Sequence, residues 1–332
     1  MADPVTLQDV ADAAGVSIAT ASRALTGKNR VSKETVAHVA RIAARLGYRP
    51  NAFGRALREG ASRTVGVVVP VVGNPFYGRI VHELETELAE HGYDLVIADS
   101  HGDVERERAR LRMLADRRVA AIIIVPADAV ASADALVEAE AIAPVVQLDR
   151  RVLDYRGDFV GVDNERGITL LLEHVKAAGA KRVVLVASNA VTSAGRERRA
   201  AFERESARLG LEAGDPILDE FTFEFGQAAA AELMARGPLP DAVVCGDDLI
   251  ATGLMTAIKH AGHRIPTDVL VTGFDGTLLA DICDPPLTTI EQPFRELARE
   301  TVAALMRRIE DRASAVVLRR VEPALRIAGS TR

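Results

Sequence analysis

Apolar positions in the first 49 residues recur at helical spacing in three short bursts, each with its own punctuation. Leu7, Val10, Ala11 and Ala14 lie three and four residues apart, as on one face of an α-helix. Thr6 precedes this stripe with Asp9 three residues on, the spacing of an N-terminal cap. Gly15 ends it, because glycine takes the left-handed turn conformation at no steric cost. Ser17 caps a second helix from Ile18 to about Leu25, with Gly27 as its stop. So short a link makes the two helices cross steeply, which is helix-turn-helix geometry. Ser32 caps a third helix whose stripe, Val36, Val39, Ile42, Ala43 and Leu46, roofs the other two before Gly47. Pro50 disfavours helix at Arg49, and Asn51 caps a short candidate helix over 52–58 before Gly60 and Ser62 loosen the chain.

From residue 65 the pattern changes. Short continuous apolar runs at 65–69, 94–98, 121–125 and 145–148 alternate with amphipathic stretches at 77–91 and 106–118. After about Gly161 the alternation is restated: runs at 183–186, 242–245 and 269–272, helical stretches at 166–178, 196–209 and 249–261. Continuous apolar strands between helices imply parallel sheets covered on both faces. The expected fold class is therefore α/β: a three-helix helix-turn-helix domain and hinge, then two similar lobes of doubly wound parallel sheet.

Composition refines this picture in two respects. The net charge of −6 hides an asymmetry: residues 1–62 carry nine basic and five acidic side chains, +4, leaving −10 for the remainder. A basic head on an acidic body fits a nucleic-acid binder with a separate second function, although a solvated helical face also produces such a value. The two cysteines, Cys245 and Cys283, are far apart in sequence, which argues against a disulfide framework or structural zinc. The first 14 residues carry acids rather than a basic stretch followed by a long apolar run, so a cytoplasmic protein without a signal peptide or membrane span is expected.

In the head, the first residues of the second helix are placed to meet base edges in a major groove. Ile18 and Ala19 offer apolar contacts there, with Ser22 and Arg23 one turn on. Arg23 can address a guanine with two hydrogen bonds, worth about 1–3 kcal/mol of discrimination. Thr6, Ser17, Thr20 and Ser32 suit phosphate contacts. A three-helix bundle that binds protein would show much the same pattern. In the core, open α/β sheets bind ligands beyond the carboxyl ends of their strands. Five loops bring polar groups to that edge: Asn74 with Phe76 and Tyr77, Asp149 with Arg150, Thr192 with Arg196, Asp247 with Asp248, and Asp275. Phe221, in a stretch with Phe223 and Phe225, supplies an aromatic face. Aspartate and arginine around aromatic faces suit a polyhydroxylated ring or a heterocycle. Each group taken singly is as readily a helix N-cap.

The run from Val5 to Leu25, then Val31-Ser32, then Leu46-Gly47-Tyr48-Arg49-Pro50-Asn51, resembles the signature of the lac/gal repressor family of bacterial transcription regulators. The resemblance implies a headpiece over 1–49, a hinge helix and linker over 50–64, and an effector-binding and dimerisation core over 65–332. It implies a periplasmic-binding-protein-like core, with a first lobe near 65–161 and 293–319 and a second near 162–292 and 320–332. In such a family the hinge helix folds on operator DNA and wedges a leucine into the minor groove, the position of Leu57 here, with Asn51 at its start. Arg196, Asp248 and Asp275 match family effector contacts. The implied partners are double-stranded, pseudo-palindromic operator DNA, a small-molecule effector and a second copy of the chain; the absence of a terminal leucine heptad favours a dimer. There are departures too. Gly54 stands where the family more often has alanine, Asp247 where it usually has asparagine, and Ala190 where some purine-binding members carry a basic residue. These lean the effector towards a sugar or related polyol ahead of a purine or nucleoside.

The run at 65–69 leads into no G-x-G-x-x-G, and the chain holds no P-loop, H-E-x-x-H or G-x-S-x-G. Neither an enzyme, a cofactor nor a metal is expected. A solute-binding transport component would fit the core but not the head, and a protein co-regulator in place of a small effector stays open. Leu57→Ala is expected to weaken binding to a specific operator much more than binding to bulk DNA, measured by titration against both.

Overall fold

The computed structural model describes residues 5–26, 31–48 and 62–332. Asn51, Gly54, Leu57 and most of the expected hinge, like the Gly27 stop, lie outside the described residues. The chain divides into two compact units, 1–62 and 63–332.

The first unit holds α1 (Leu7–Ala14), α2 (Ile18–Thr26) and α3 (Lys33–Leu46). Thr6 and Asp9 cap α1 reciprocally: the Asp9 N–H donates to Thr6 Oγ1 at 3.3 Å, and the Thr6 N–H to Asp9 Oδ2 at 2.8 Å. Gly15 sits at φ +63°, and its turn passes directly to Ser17, whose Oγ accepts from the Thr20 N–H at 3.1 Å. Ser32 caps α3 in the same way and Gly47 ends it at φ +69°. The three stripes meet in a small core of Val10, Ala11, Ala14, Ala21, Ala24, Val39, Ile42 and Ala43. Alanines on α1 and α2 let the helices approach closely enough for α3 to cover both.

The second unit begins with β1 (Thr64–Val69), α4 (Pro75–Glu90), β2 (Asp94–Asp99), α5 (Val104–Asp116), β3 (Ala121–Ile124), α6 (Ala133–Glu140), β4 (Val145–Leu148) and β5 (Asp158–Val162). It continues with α7 (Asn164–Ala177), β6 (Arg182–Ser188), α8 (Ser193–Leu209), β7 (Glu212–Ala213), β8 (Ile217–Asp219), α9 (Phe223–Ala235), β9 (Ala242–Cys245), α10 (Asp248–His260), β10 (Leu270–Asp275), α11 (Leu278–Ile282) and β11 (Thr288–Glu291). It closes with α12 (Phe294–Glu310), β12 (Leu318–Val321) and β13 (Ala324–Arg326). One sheet runs β12-β5-β4-β3-β1-β2, all parallel. The other runs β13-β11-β10-β9-β6-β7, with β8 also on β6, and is parallel except for β13. Each sheet is its own lobe, with apolar layers on both faces.

The chain passes between lobes three times: after β5, between β11 and α12, and between β12 and β13. The third passage lies beyond the expected limit at 319, because Arg320 and Val321 still pair with Gly161 and Val162. The short strands β5, β7, β8, β11, β12 and β13 were absent from the sequence pattern. β7 and β12 are mostly exposed, β13 is exposed to half-buried, and β5, β8 and β11 mix polar and apolar side chains. Helices α4 and α8 start two and three residues earlier than their apolar periods suggested, because Asn74 and Thr192 cap them.

The returning segment is anchored by charge. Asp158 on β5, fully buried, accepts from Arg308 Nε on α12 at 2.6 Å and from the Val317 N–H at 2.6 Å. Arg308→Met is expected to destabilise the second unit by about 3–5 kcal/mol in denaturant unfolding, since it leaves a buried carboxylate without its cation.

Candidate functional site

On the head, burial separates the two faces of α2. Ala21 and Ala24 face the core, while Ile18, Ala19 and Arg23 are exposed and Ser22 is half-buried beside them. Ser17, Thr20, Thr6 and Ser32 sit at helix starts with their hydroxyls near the first-turn N–H groups, the end of a helix that attracts anions. The outward face of α2 and the three capped starts therefore present an apolar, hydroxyl-bearing and cationic surface of the kind that reads a duplex.

In the core, the carboxyl ends of both sheets face one another across the interlobe cleft. Asn74, Phe76, Tyr77, Asp149, Arg150, Ala194, Arg198, Phe221, Asp247 and Asp275 line an inner cavity of about 20 Å³. A wider compartment of about 240 Å³ shares Asn74, Tyr77, Arg150 and Phe221 and adds Thr192 and the rim residues Asp219 and Glu220. Contacts across the cleft hold the lobes together. Asn74 Nδ2 donates to Asp247 Oδ2 at 3.5 Å, the Arg151 N–H to Ser193 Oγ at 2.9 Å, and the Ala129 N–H to the Val191 carbonyl at 2.9 Å. The Arg150 guanidinium lies over the Phe221 ring at 5.2 Å, worth about 0.5–2 kcal/mol once water is excluded.

Local structure explains why each group is there. Asn74 caps α4 through Oδ1, which accepts from the Phe76 N–H at 2.9 Å and leaves its amide nitrogen free to cross the cleft. Phe76 packs edge-on to Tyr77 and against Phe294, so both rings form the chamber wall and the top of the first-lobe core. Asp149 ends β4 at φ +63° and Asp275 ends β10 at φ +119°, backbone conformations that cost a non-glycine residue about 1–3 kcal/mol each. Strain placed at both strand ends aims the two carboxylates at the cleft. Asp247 caps α10, its Oδ1 accepting from the Ile250 N–H at 2.7 Å.

The structure alters three expectations. Arg196 is exposed on the outer side of α8 and donates to the Ala190 carbonyl. The guanidinium that α8 brings to the cleft belongs to Arg198, two residues along, on the buried stripe with Ala194, Ala201 and Glu205. Starting the helix at Ser193 and following that stripe would have found it. Arg198 Nε donates to Asn164 Oδ1 at 2.8 Å and its Nη1 to the Gly246 carbonyl, its guanidinium covers the Phe274 ring at 3.7 Å, and Nη2 is 4.0 Å from Asp275 Oδ1. Asp248 does not line the cleft either. Its Oδ2 accepts from the Thr277 N–H at 2.7 Å and Thr277 Oγ1 at 2.9 Å, and its Oδ1 from Thr289 Oγ1 at 2.5 Å, so it braces the second lobe. Phe223 and Phe225 belong to the first turn of α9, and Phe225 is buried in the second lobe; of the three aromatics only Phe221 lines the cleft.

Burial raises the cleft carboxyls. Asp247 is pushed up to about 7, chiefly by desolvation, and Asp275 rises well above the usual range for the same reason, opposed by Arg198. Asp149 is raised by burial against the pull of Arg150. Beside the outer compartment, Glu107 is fully buried; its Oε2 accepts from the Ala127 N–H at 2.7 Å, and desolvation pushes it up to about 7. Among the described residues no group of three or more His, Cys, Asp and Glu side chains is arranged to hold a metal ion.

A helix-turn-helix head and a two-lobed core with a polar interlobe cleft define a DNA-binding regulator under ligand control. The chain belongs to the lacI family of bacterial regulatory proteins, whose family model matches residues 6–51, while a periplasmic binding protein-like domain model matches residues 172–331. It is 31% identical to the HTH-type transcriptional repressor PurR of Vibrio cholerae serotype O1 (strain M66-2), over 92% of each chain. It is 30% identical to the HTH-type transcriptional repressor CytR of Escherichia coli (strain K12), over 98% of this chain and 96% of that one. A crystal structure of the lac repressor dimer bound to operator and the anti-inducer ONPF superposes with a TM-score of 0.88 at 26% identity, covering 99% of both chains. A complex of the transcriptional regulator CelR with cellobiose does so with a TM-score of 0.72 at 29% identity, covering 98% and 99%. The protein is thus a DNA-binding transcription regulator under small-molecule control, and its relatives are regulators, not enzymes.

Glu107 and Asp247 keep protons in the folded protein that the unfolded chain, titrating near 4.5 and 3.8, has already released. Stability is therefore expected to fall as pH rises from about 4 to about 7 and to level off above that. Glu107→Gln and Asp247→Asn should each flatten the slope in urea titrations across that range.

Proposed function

We propose that this chain is a homodimeric, cytoplasmic repressor of a catabolic or transport operon, and that a small polyhydroxylated effector in the interlobe cleft sets its operator affinity. The observation that carries this reading is the cleft itself. Buried polar side chains from both lobes converge there, and two of their atoms, Asp149 Oδ1 and Arg150 Nε, have no hydrogen-bond partner within the protein. An acceptor and a donor left open side by side are what a ligand hydroxyl satisfies, since it gives one hydrogen bond and accepts another. The fold likeness to CelR, solved with cellobiose, supports a sugar, and the likeness to PurR supports a purine as the second reading.

The dimer reading rests on exposed apolar groups. β2 is the free edge of its sheet, with Val96 and Ile97 exposed, and Leu278 and Ile282 on α11 are exposed in the other lobe. An apolar strand edge is normally covered, and a second copy related by a two-fold axis covers it with matching groups. The same axis would place two heads on successive major grooves of a pseudo-palindromic site, with Thr6, Ser17, Thr20 and Ser32 on phosphates and Ile18, Ala19, Ser22 and Arg23 on bases. Asn51 and Leu57 would then meet the duplex at its centre. An effector that binds one arrangement of the lobes more tightly shifts operator affinity by the same factor that operator shifts effector affinity.

The test is operator binding with and without each effector found by a thermal-shift screen of sugars, polyols and nucleosides. Asp275→Ala is expected to leave operator affinity intact and abolish its response to the effector; an unchanged response would move the effector site elsewhere. Arg23→Ala should reduce discrimination between operator sequences by about 1–3 kcal/mol; equal weakening on all DNA would remove its base-reading role.

A further inference from the structure

The cleft is richer in acid than its arginines can offset. Among the described residues lining its two compartments, three buried carboxyls, Asp149, Asp247 and Asp275, share the inner chamber with the guanidiniums of Arg150 and Arg198, while Asp219, Glu220 and His101 are exposed on the outer compartment. Arg198 is committed within the second lobe to Asn164, the Gly246 carbonyl and the neighbourhood of Asp275. Arg150, with Nε 3.7 Å from Asp149 Oδ2, offsets Asp149, while Asp247 and Asp149 share with Asp275 the more distant pull of Arg198. Asp149 and Asp247 are both nine-tenths buried or more, and Asp149 Oδ1 has no hydrogen-bond partner. Three carboxylates withdrawn from water beside two guanidiniums leave one negative charge that needs a cation or a proton.

We propose that the cleft takes a ligand bearing a primary ammonium next to a hydroxyl, an amino sugar or amino polyol. The ammonium lies between Asp149 and Asp247, and the hydroxyl accepts from Arg150 Nε. The proposal rests on reading the cleft as the effector site and narrows its ligand class. An ammonium brings three donors and no acceptor, which suits acceptor-only carboxylates; a neutral hydroxyl brings one donor and no charge. The size of the chamber agrees. About 20 Å³ holds one water-sized group, since a water requires about 10–15 Å³, so the ammonium fills it and the carbon chain extends into the 240 Å³ compartment.

Protonation is the competing way to neutralise this chamber. Asp247 is faced by Asn74 and Tyr77 from α4, Asp149 and Arg150 from the end of β4, Arg198 from α8, Asp275 from the end of β10, Cys245 from β9 and its neighbour Asp248. In that setting its carboxyl is pushed up to about 7, so a cation must displace a proton below that pH. Affinity for an ammonium ligand should then fall by up to about tenfold per unit as pH drops below about 7, and level off above it.

The experiment uses the full-length protein and matched pairs: 1-amino-1-deoxyalditols and aminodeoxyhexitols against their parent alditols, with hexoses and purine nucleosides alongside. Aliphatic amines of this kind, like that of lysine at about 10.4, stay protonated between about pH 6 and about pH 8, so only the protein titrates. Binding is read by calorimetry and operator affinity by titration. The expected result is that an amine binds at least about tenfold more tightly than its hydroxyl partner, weakens as pH falls, and loses its advantage in Asp247→Asn, which keeps the helix cap. Equal or tighter binding of the neutral partner, an unchanged preference in Asp247→Asn, or failure of every amine to bind would overturn it. If a hexose or nucleoside binds instead and shifts operator affinity, the effector reading stands and the amine class falls. If no compound of any class binds, both fall.

Discussion

A carboxylate removed from water must find a cation, a proton or several hydrogen bonds, and much of the second unit is arranged around that requirement. Asp158 meets it with Arg308 and thereby fixes the returning segment of the chain beside β5. Asp248 meets it with a backbone N–H and the hydroxyls of Thr277 and Thr289, which ties the start of α10 to the strands beside it. Of the carboxylates that open on the cleft, Asp275 meets it within the second lobe, accepting from Gln292 Nε2 at 2.7 Å with Arg198 nearby, while the other two draw on both lobes. Asp247 takes a bond from Asn74 across the gap, while Asp149 leans on Arg150, itself stacked on Phe221 from the other lobe. Closure of the two lobes and satisfaction of these charges are therefore one problem, which is a physical basis for coupling a ligand to lobe geometry.

Arg198 sits where that coupling meets the connections between lobes. Its Nε holds Asn164, the first residue of α7 after the chain enters the second lobe, and Asn164 in turn donates to Glu197 at 2.9 Å. Glu197 receives Arg320 from β12 of the first lobe at 2.7 and 3.0 Å, with Arg151 of the same lobe 3.7 Å away. A continuous set of charged and polar contacts thus runs from the Asp275 end of the cleft to a strand beside the third passage. Glu197 of the second lobe is held by two arginines of the first, Arg320 and Arg151.

Some buried groups look idle without this frame. The positive φ angles at Asp149 and Asp275 would be unneeded cost in a scaffold, but they bring two side chains from separate sheets into one small chamber. Glu107 is similar: a fully buried carboxyl that holds the Ala127 N–H shapes the loop after β3, on the wall of the outer compartment. Such groups trade stability for geometry.

Much of the fold was legible from order along the chain alone. Caps such as Thr6 with Asp9, stops such as Gly15 and Gly47, and continuous apolar strands are local signals whose energetics involve neighbours a few residues apart. They determined the three-helix head, the two-lobed α/β core and the loops that carry the cleft. Tertiary structure decided which polar groups face the ligand. Arg196 and Arg198 are equally basic and nearly adjacent, but a helix turns about 100° per residue, so the two side chains leave α8 on different sides. Asp247 and Asp248 are likewise adjacent, and only the proximity of Thr277 and Thr289, far along the chain, withdraws the second into the scaffold. The short strands β12 and β13 carry little pattern of their own and exist because distant strands offer them partners. Local periodicity writes elements into a sequence; the partner of a buried charge is a long-range fact, settled only when the sheets come together.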